Sequence, residues 1–204
     1  MKVLNLYAGI GGNRKLWGGV EVTAVEINPS IAAIYADLYP NDTVIVGDAH
    51  QFLLDHYNEF NFIWASPPCQ SHSRLRTMGV YTGQTKAIYP DMKLYQEIIF
   101  LQFYAKCNWV VENVIPFYKP LIQPTFTIQR HHYWSNKFIF AQNFDIDGIE
   151  NRRTQDFQDK LGIDLSKYKG INKKQVLRNC VQPDLGLYIF EQLTKGEEGV
   201  SRKT

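Results

Sequence analysis

Short apolar runs alternate with segments of helical periodicity through the first 70 residues of the chain. The runs have the length and apolar character of buried strands. Helical segments are predicted around Asn13–Trp17, at Ser30–Tyr39 and between the third and fourth strands. The predicted strands are Lys2–Tyr7, Glu21–Val25, Thr43–Val46 and Phe62–Trp64. This alternation predicts an α/β fold, with a mostly parallel central sheet and helices on both faces.

The second part of the chain begins with a polar stretch, residues 74–90, for which the pattern predicts a loop. Leu94 and Ile98 recur at helical spacing within a predicted helix, Met92–Ala105, and Asp91 is its predicted N-cap. The further predictions are a strand at Trp109–Val111, a hairpin or paired strands formed by Phe126–Trp134 and Lys137–Phe140, helices at Thr154–Leu161 and Asp184–Leu193, and a frayed tail at Lys195–Thr204.

The composition is that of an ordinary globular protein. The 204 residues are 45% hydrophobic and 21% charged, which predicts one domain over residues 1–204 with a full core. We expect no membrane span and no secretory signal, because the apolar runs are short and interrupted. Three widely spaced cysteines, Cys69, Cys107 and Cys180, favour a reducing, cytoplasmic location over a disulfide framework. Their spacing also does not predict a zinc site.

Charge is divided unevenly along the chain, although the net charge is only +2. Residues 1–69 contain 3 Lys/Arg and 7 Asp/Glu, a net charge of −4, and residues 70–204 contain 19 and 13, a net charge of +6. Ser166–Arg178 contains five basic residues and no acid. Such a distribution suits contact with a polyanion, but charges on any solvated surface can also produce it.

A cysteine follows the fourth predicted strand on a turn that two prolines stiffen. Pro67 and Pro68 end the strand and fix the backbone, and Cys69 comes directly after them. An isolated cysteine is more often a buried structural residue. Here the polar residues that follow, including Arg74 and Arg76, argue against burial. The turn lies where open α/β sheets place their chemistry, at the carboxyl end of a strand.

A glycine-rich turn, residues 8–12, follows the first strand, and acids follow the second and third. The turn lacks the third glycine of the dinucleotide-binding spacing. Glu26 ends the second strand, where an acid typically bonds ribose hydroxyls, and Asp48 follows the third. This set suits a nucleoside held by its ribose and its adenine amino group, with no pyrophosphate to bind.

The motifs resemble those of the DNA cytosine-5 methyltransferase family. Residues 67–70, Pro-Pro-Cys-Gln, match its nucleophile motif, and residues 112–114, Glu-Asn-Val, match its second catalytic motif. The turn at residues 7–12 corresponds to the family's Phe-x-Gly-x-Gly-Gly. Arg130 and His132 correspond to an Arg-x-Arg strand, and residues 179–183 to the last motif, Gly-Asn-x-Val-x-Pro. The motifs follow the family's order from residue 4 to about 193.

This resemblance implies a Rossmann-like methyltransferase fold, S-adenosylmethionine as cofactor and double-stranded DNA as substrate. A thiolate adds to carbon 6 of a flipped cytosine so that carbon 5 becomes nucleophilic. Cys69 is the expected nucleophile, Glu112 the acid at N3 and Arg130 the cation that favours the thiolate, while residues 71–90 are expected to close behind the base. The expected catalytic residues are Cys69, Glu112, Arg130 and His132; the expected cofactor residues are Tyr7, Gly9, Gly12, Glu26, Ile27, Asp48, Ala49, Pro68, Asn179 and Val181; no metal is expected.

The chain departs from the family pattern at three positions and in the size of one region. Asn5 replaces an aspartate, His132 the second arginine and Arg178 a glycine. Only residues 139–178 remain for target recognition, as in compact phage forms, so we expect a short recognition sequence and a monomer, with room for a separate recognition partner. An RNA (tRNA) cytosine-5 methyltransferase and a degenerate cofactor-binding accessory subunit remain alternatives.

Overall fold

The computed structural model describes residues 1–140, 142, 144 and 153–195. The strands are β1 (Lys2–Leu6), β2 (Glu21–Glu26), β3 (Thr43–Val46), β4 (Phe62–Ala65), β5 (Asn108–Val114), β6 (Phe126–Ile128) and β7 (His131–Ser135). The helices are α1 (Pro29–Leu38), α2 (Ala49–His56), α3 (Arg74–Tyr81), α4 (Lys93–Tyr104), α5 (Thr154–Leu161), α6 (Lys173–Arg178) and α7 (Pro183–Thr194). None of the helices in this part of the chain has the length and apolar character that crossing a membrane requires.

The strands form one seven-stranded sheet in the order β3-β2-β1-β4-β5-β7-β6. The first five strands are parallel, and β7 runs antiparallel to both β5 and β6. The strand order reverses at β1, whose neighbours are β2 and β4, and such a switch point opens a crevice at the carboxyl ends of the strands. The predicted α/β class with a mostly parallel sheet is confirmed.

Side chains of successive strand residues enter two hydrophobic layers, one on each face of the sheet. On one face, Val3 and Trp64 pack with Ile189 of α7. On the other, Leu4 and Ile63 pack with α2 and with Ile98 of α4. Because the strands are buried on both faces, they appear in the sequence as nearly continuous apolar runs. The predicted covering of both faces by helices is confirmed.

The predicted helix at Asn13–Trp17 is wrong, because consecutive turns occupy these positions. The Arg14 amide donates to Gly11 O at 3.1 Å and the Trp17 amide to Arg14 O at 3.0 Å. Helix α7 crosses this backbone closely: a Cβ atom on Gly186 would lie 2.6 Å from Asn13 O. Close packing against α7 therefore holds residues 13–17 in turns, although their helix propensity alone predicts a regular helix.

The prediction of a loop at residues 74–90 is wrong for its first half, which forms α3. The Ser73 hydroxyl caps this helix by accepting from the Leu75 amide at 3.3 Å.

The next helix, α4, begins at Lys93 with Met92 at the N-cap, whereas Asp91 was predicted there. Asp91 still accepts the Lys93 amide at 3.0 Å, one residue earlier than a standard cap.

A tight hairpin joins β6 and β7 through Gln129 and Arg130, and Gln129 has a φ of 55°. Residues 137–140 form no strand, so the predicted hairpin or strand pair between Phe126–Trp134 and Lys137–Phe140 is wrong, and the hairpin lies within residues 126–135 instead. Strand β7 pairs with β6 on the side away from β5, so β6 supplies the backbone hydrogen bonds that a strand at residues 137–140 was expected to supply. Most of the predicted frayed tail, residues 196–204, lies outside the described residues.

Candidate active site

A cavity of about 370 Å³ lies at the carboxyl ends of β1, β2, β4 and β5. This volume is in the usual range of small-molecule sites. All of the cofactor residues expected from the sequence line it, namely Tyr7, Gly9, Gly12, Glu26, Ile27, Asp48, Ala49, Pro68, Asn179 and Val181. Cys69 and Glu112 line the same cavity, whereas Arg130 and His132 do not.

Glu26 connects the end of β2 to the glycine turn. Its Oε2 atom accepts the Gly9 amide at 3.0 Å, and its Oε1 atom accepts the Asn28 amide at 2.9 Å. A carboxylate has about four lone-pair sites, so each oxygen can accept a further hydrogen bond from a ligand hydroxyl. Glu26 is therefore fixed in place and still able to bind a ribose.

Asp48 begins α2 at the rim of the cavity. Its Oδ1 atom accepts the His50 amide at 2.9 Å, and Lys93 Nζ lies 3.2 Å from its Oδ2 atom. Partial desolvation would raise the pKa of Asp48, but the His50 amide and the Lys93 ammonium group outweigh it and lower that pKa. The side chain is thus an anionic acceptor, which suits a donor such as an exocyclic amino group.

The segment that carries Asn179 and Val181 folds back onto the glycine turn. A Cβ atom on Gly12 would lie 2.6 Å from Val181 O and 2.7 Å from Cys180 Cβ. Real Cβ atoms do not approach this closely, so glycine is required for the two segments to close one wall of the cavity.

We expect Gly12→Ala to lower both the melting temperature and the affinity for cofactor, because the added methyl group pushes the 179–181 segment away from the turn. Overpacking of this kind costs about 1–3 kcal/mol, or roughly 2–10 °C of melting temperature. Gly18→Ala is the matched control, since a Cβ atom there meets nothing within 4 Å. Thermal melts and calorimetry on both variants test this; equal behaviour of the two would contradict it.

Asn5, where the family pattern has aspartate, faces Asn13 in the core. The Asn13 side-chain amide donates to Asn5 Oδ1 at 2.9 Å, and the reciprocal contact from Asn5 Nδ2 measures 3.4 Å. Both residues are buried. A carboxylate at position 5 would place a buried charge against the Asn13 carbonyl oxygen, so the amide is the better partner for this neighbour.

Tyr7 is anchored by a buried acid that the sequence analysis did not identify. Its φ is 54°, an unfavourable conformation for a residue with a side chain. Its hydroxyl donates to Glu97 Oε1, which also lies 3.1 Å from His50 Nδ1. Glu97 is fully buried, and burial raises its pKa. In the sequence, Glu97 lies on the apolar face of the predicted helix, next to Leu94 and Ile98. An acid in such a position is the signal that could have identified Glu97 as a residue of the site.

Cys69 lies on the turn after β4 and is partly buried. Asn113 Nδ2 donates to Pro67 O at 2.8 Å, which ties this turn to β5. The Cys69 carbonyl accepts the amides of His72 and Ser73 at 3.0 and 3.1 Å. Burial, together with the negative charge of Glu112, raises the pKa of the Cys69 thiol to about 11. The isolated site therefore keeps the thiol protonated at neutral pH.

Glu112 lies on β5 and contacts His131, a residue that the sequence analysis did not assign to the site. The distance from His131 Nε2 to Glu112 Oε1 is 3.3 Å, and His131 lines the cavity. The register pairs Glu112 with Tyr133 and Val114 with His131. Because strand side chains alternate, His131 and Tyr133 share the face of Glu112, and His132 has the opposite face.

The structure therefore places neither Arg130 nor His132 in the wall of the cavity that Cys69 and Glu112 line, although the Arg-x-Arg resemblance gave Arg130 the role of favouring the thiolate and His132 a catalytic role. Arg130 is exposed in the hairpin turn. His132 Nδ1 lies 2.8 Å from the Thr127 hydroxyl, and burial, then the charges of Arg74 and His131, lower its pKa. The alignment to the motif was one residue out of step with the face of β7 that meets Glu112.

Fold and cavity together define an α/β protein in which Cys69, Glu112 and the expected cofactor residues line one cavity. Residues 1–99 match the model of the C-5 cytosine-specific DNA methylase family. The resemblance found in the sequence is therefore confirmed over this part of the chain. The match includes the glycine turn and Cys69, whereas Glu112 and the β6–β7 hairpin lie beyond it.

Solved structures similar to the chain include several methyltransferases. A protein described as a DNA modification methyltransferase encoded within an E. coli prophage has a TM-score of 0.39 and 20% identity, over 58% of this chain and 33% of that one. Spodoptera frugiperda DNMT2 has a TM-score of 0.39 and 24% identity, over 55% and 35%. An S-adenosylmethionine-dependent methyltransferase from Agrobacterium tumefaciens has a TM-score of 0.41 and 16% identity, over 58% and 40%. The matches thus span about a third of the first two proteins. No curated protein matches the sequence.

Proposed function

We propose that the protein is a DNA cytosine-5 methyltransferase that uses S-adenosylmethionine and forms a covalent adduct between Cys69 and a flipped cytosine. The observation that carries this proposal is that Cys69 and Glu112 line one cavity with every expected cofactor residue. The family match over residues 1–99 supports the same assignment.

The carboxylate acceptors and the open glycine turn of the cavity suit S-adenosylmethionine. Glu26 would accept the ribose hydroxyls, and Asp48 the adenine amino group. A Cβ atom on Gly9 would meet nothing within 4 Å, so the turn leaves room for a ligand to approach its backbone. Residues 179–181 would close the site from the other side. When bound, S-adenosylmethionine supplies an electrophilic methyl group that needs only alignment.

The protein residues make the cytosine ring reactive. Cys69 Sγ forms a bond to carbon 6 while N3 takes a proton from the Glu112 site, and the ring becomes an enamine whose carbon 5 is nucleophilic. At the end of the reaction the proton on carbon 5 leaves to solvent, the Sγ–carbon 6 bond breaks, N3 returns its proton to the Glu112 site and the aromatic ring is restored. Glu112 thus holds the proton that the ring needs, and Cys69 provides the electron pair.

DNA as the substrate is supported by the surface beside Cys69. Residues 70–90 contain three basic residues and no acid. Helix α3 in this segment exposes Leu75, Met78 and Tyr81, with 64, 62 and 86% of their surfaces accessible. Basic residues next to exposed apolar side chains suit phosphate contact and insertion at the gap left by a flipped base.

Residues 139–178, expected to form a small recognition region, bury several of their apolar side chains against the part of the chain that forms the cavity. Phe157, Leu161 and Leu177 pack against Ile10 of the glycine turn and Ile34 of α1. The segment therefore supports the cofactor site directly. We propose that the chain is one catalytic domain and that it reads a short DNA sequence, alone or with a recognition partner.

The deciding experiment is transfer of labelled methyl groups from S-adenosylmethionine to duplex DNA and, separately, to tRNA, with bisulfite mapping of the product. We expect 5-methylcytosine in duplex DNA. Methylation of tRNA alone would replace the proposal with an RNA methyltransferase. Cofactor binding without transfer to either substrate would indicate the accessory subunit.

A further inference from the structure

His131 lies beside Glu112, where its charge changes the net charge that faces Cys69. Its Nε2 atom lies 3.3 Å from Glu112 Oε1, and its side chain is 30% exposed, against 10% for Glu112. Both residues line the cavity that Cys69 enters. An ion pair in this position forms partly out of water, where charges interact more strongly than at an open surface.

The two sequence neighbours of His131 do not line the cavity. Arg130, the neighbour in the turn, is exposed and does not line the cavity. His132 has the opposite face of β7 and contacts Thr127. The remaining ionisable groups in the described cavity wall are Tyr7 after β1, Glu26 at the end of β2, Asp48 before α2, Cys69 after β4, Asp91 and Lys93 near the start of α4, Arg178 at the end of α6 and Cys180, and β7 itself adds Tyr133.

We propose that His131 and Glu112 share one proton, and that this shared proton allows Cys69 to ionise and then moves to N3 of the cytosine. The inference rests on the proposed function and deepens it. His131 acts through Glu112, so it is a positioning residue in the sense that it sets the charge of its neighbour.

The physical reason is the effect of Glu112 on Cys69. The negative charge of Glu112 contributes to the raised pKa of the thiol. An imidazolium at 3.3 Å makes the pair neutral overall and so removes most of that repulsion. When Sγ bonds to carbon 6, the electron pair displaced through the ring arrives at N3, and the proton of the pair neutralises it there. The proton that the Cys69 thiol loses on ionising goes to solvent and is regained from solvent after Cys69 leaves. N3 then returns the shared proton to the pair, so the step needs no other reactant.

The test is alkylation of Cys69 by iodoacetamide in the protein alone, followed by peptide mass spectrometry from pH 5.5 to 9. At the acid end of this range we expect His131→Gln to slow Cys69 alkylation roughly three- to tenfold, with a smaller difference at the alkaline end. His131→Arg, which keeps its charge across the range, should match the wild type at the acid end and exceed it at the alkaline end.

His132→Gln is the matched control and should leave Cys69 alkylation unchanged. In a Glu112→Gln background, His131→Gln should lose most of its effect, because the residue it acts through is gone. Equal alkylation of the wild type and His131→Gln at every pH, or an equal loss in His132→Gln, would overturn the proposal. Because the test needs neither cofactor nor DNA, its result stands even if methyl transfer to DNA is not found.

Discussion

Replacing Cys69 with serine is expected to abolish methyl transfer, by at least about a thousandfold, while S-adenosylmethionine still binds with nearly wild-type affinity. A hydroxyl is a far poorer nucleophile than a thiolate toward carbon 6. Apart from Pro68, the residues expected to hold the cofactor are on other segments, at the ends of β1, β2 and β3 and at 179–181. A transfer assay beside calorimetry with the cofactor measures both quantities on one protein preparation.

Cys107→Ser is the control for this experiment. Cys107 lies just before β5, at the amino end of that strand, whereas the cavity lies at the carboxyl ends. This variant should keep its activity. An active Cys69→Ser variant would end the assignment of the nucleophile.

Replacing Glu26 with alanine is expected to weaken cofactor binding roughly ten- to a hundredfold. Loss of hydrogen bonds to a charged acceptor costs on the order of 1.5–3 kcal/mol. The structure adds a second reason, since Glu26 also fixes the Gly9 and Asn28 amides. Calorimetry with S-adenosylmethionine measures the affinity.

Glu26→Gln separates the two contributions, because its side-chain oxygen can keep one of the backbone contacts while the charge is lost. A melting curve without ligand reports how much the turn itself has loosened. Wild-type affinity in Glu26→Ala would mean that the glycine turn holds some other ligand.

The parallel strands and the position of the expected cofactor residues follow from local patterns. Parallel strands end at one edge of a sheet, so Tyr7, Glu26 and Asp48, each at or just after the end of its strand, had to come together. The proline-stiffened turn placed Cys69 at the same edge. These inferences needed only the order of strands and the residues at their ends.

The remaining features depend on contacts between distant segments. Glu97 reaches Tyr7 across 90 positions of the sequence. The choice between His131 and His132 depends on the register of β7 against β5, where a shift of one residue exchanges the faces. The turns at Asn13–Trp17 depend on the close crossing of Gly186. Periodicity within one segment contains none of this information.

The proposed covalent mechanism is tested most directly with duplex DNA that carries 5-fluorocytosine at the methylated position, incubated with S-adenosylmethionine. Fluorine cannot leave carbon 5 as the proton does, so the adduct cannot eliminate Cys69. We expect a protein–DNA complex that survives denaturation, with the nucleotide attached to the peptide that contains Cys69 and no such complex in Cys69→Ser. Attachment at Cys107 or Cys180, or turnover of ordinary cytosine with no trapped complex, would contradict the account.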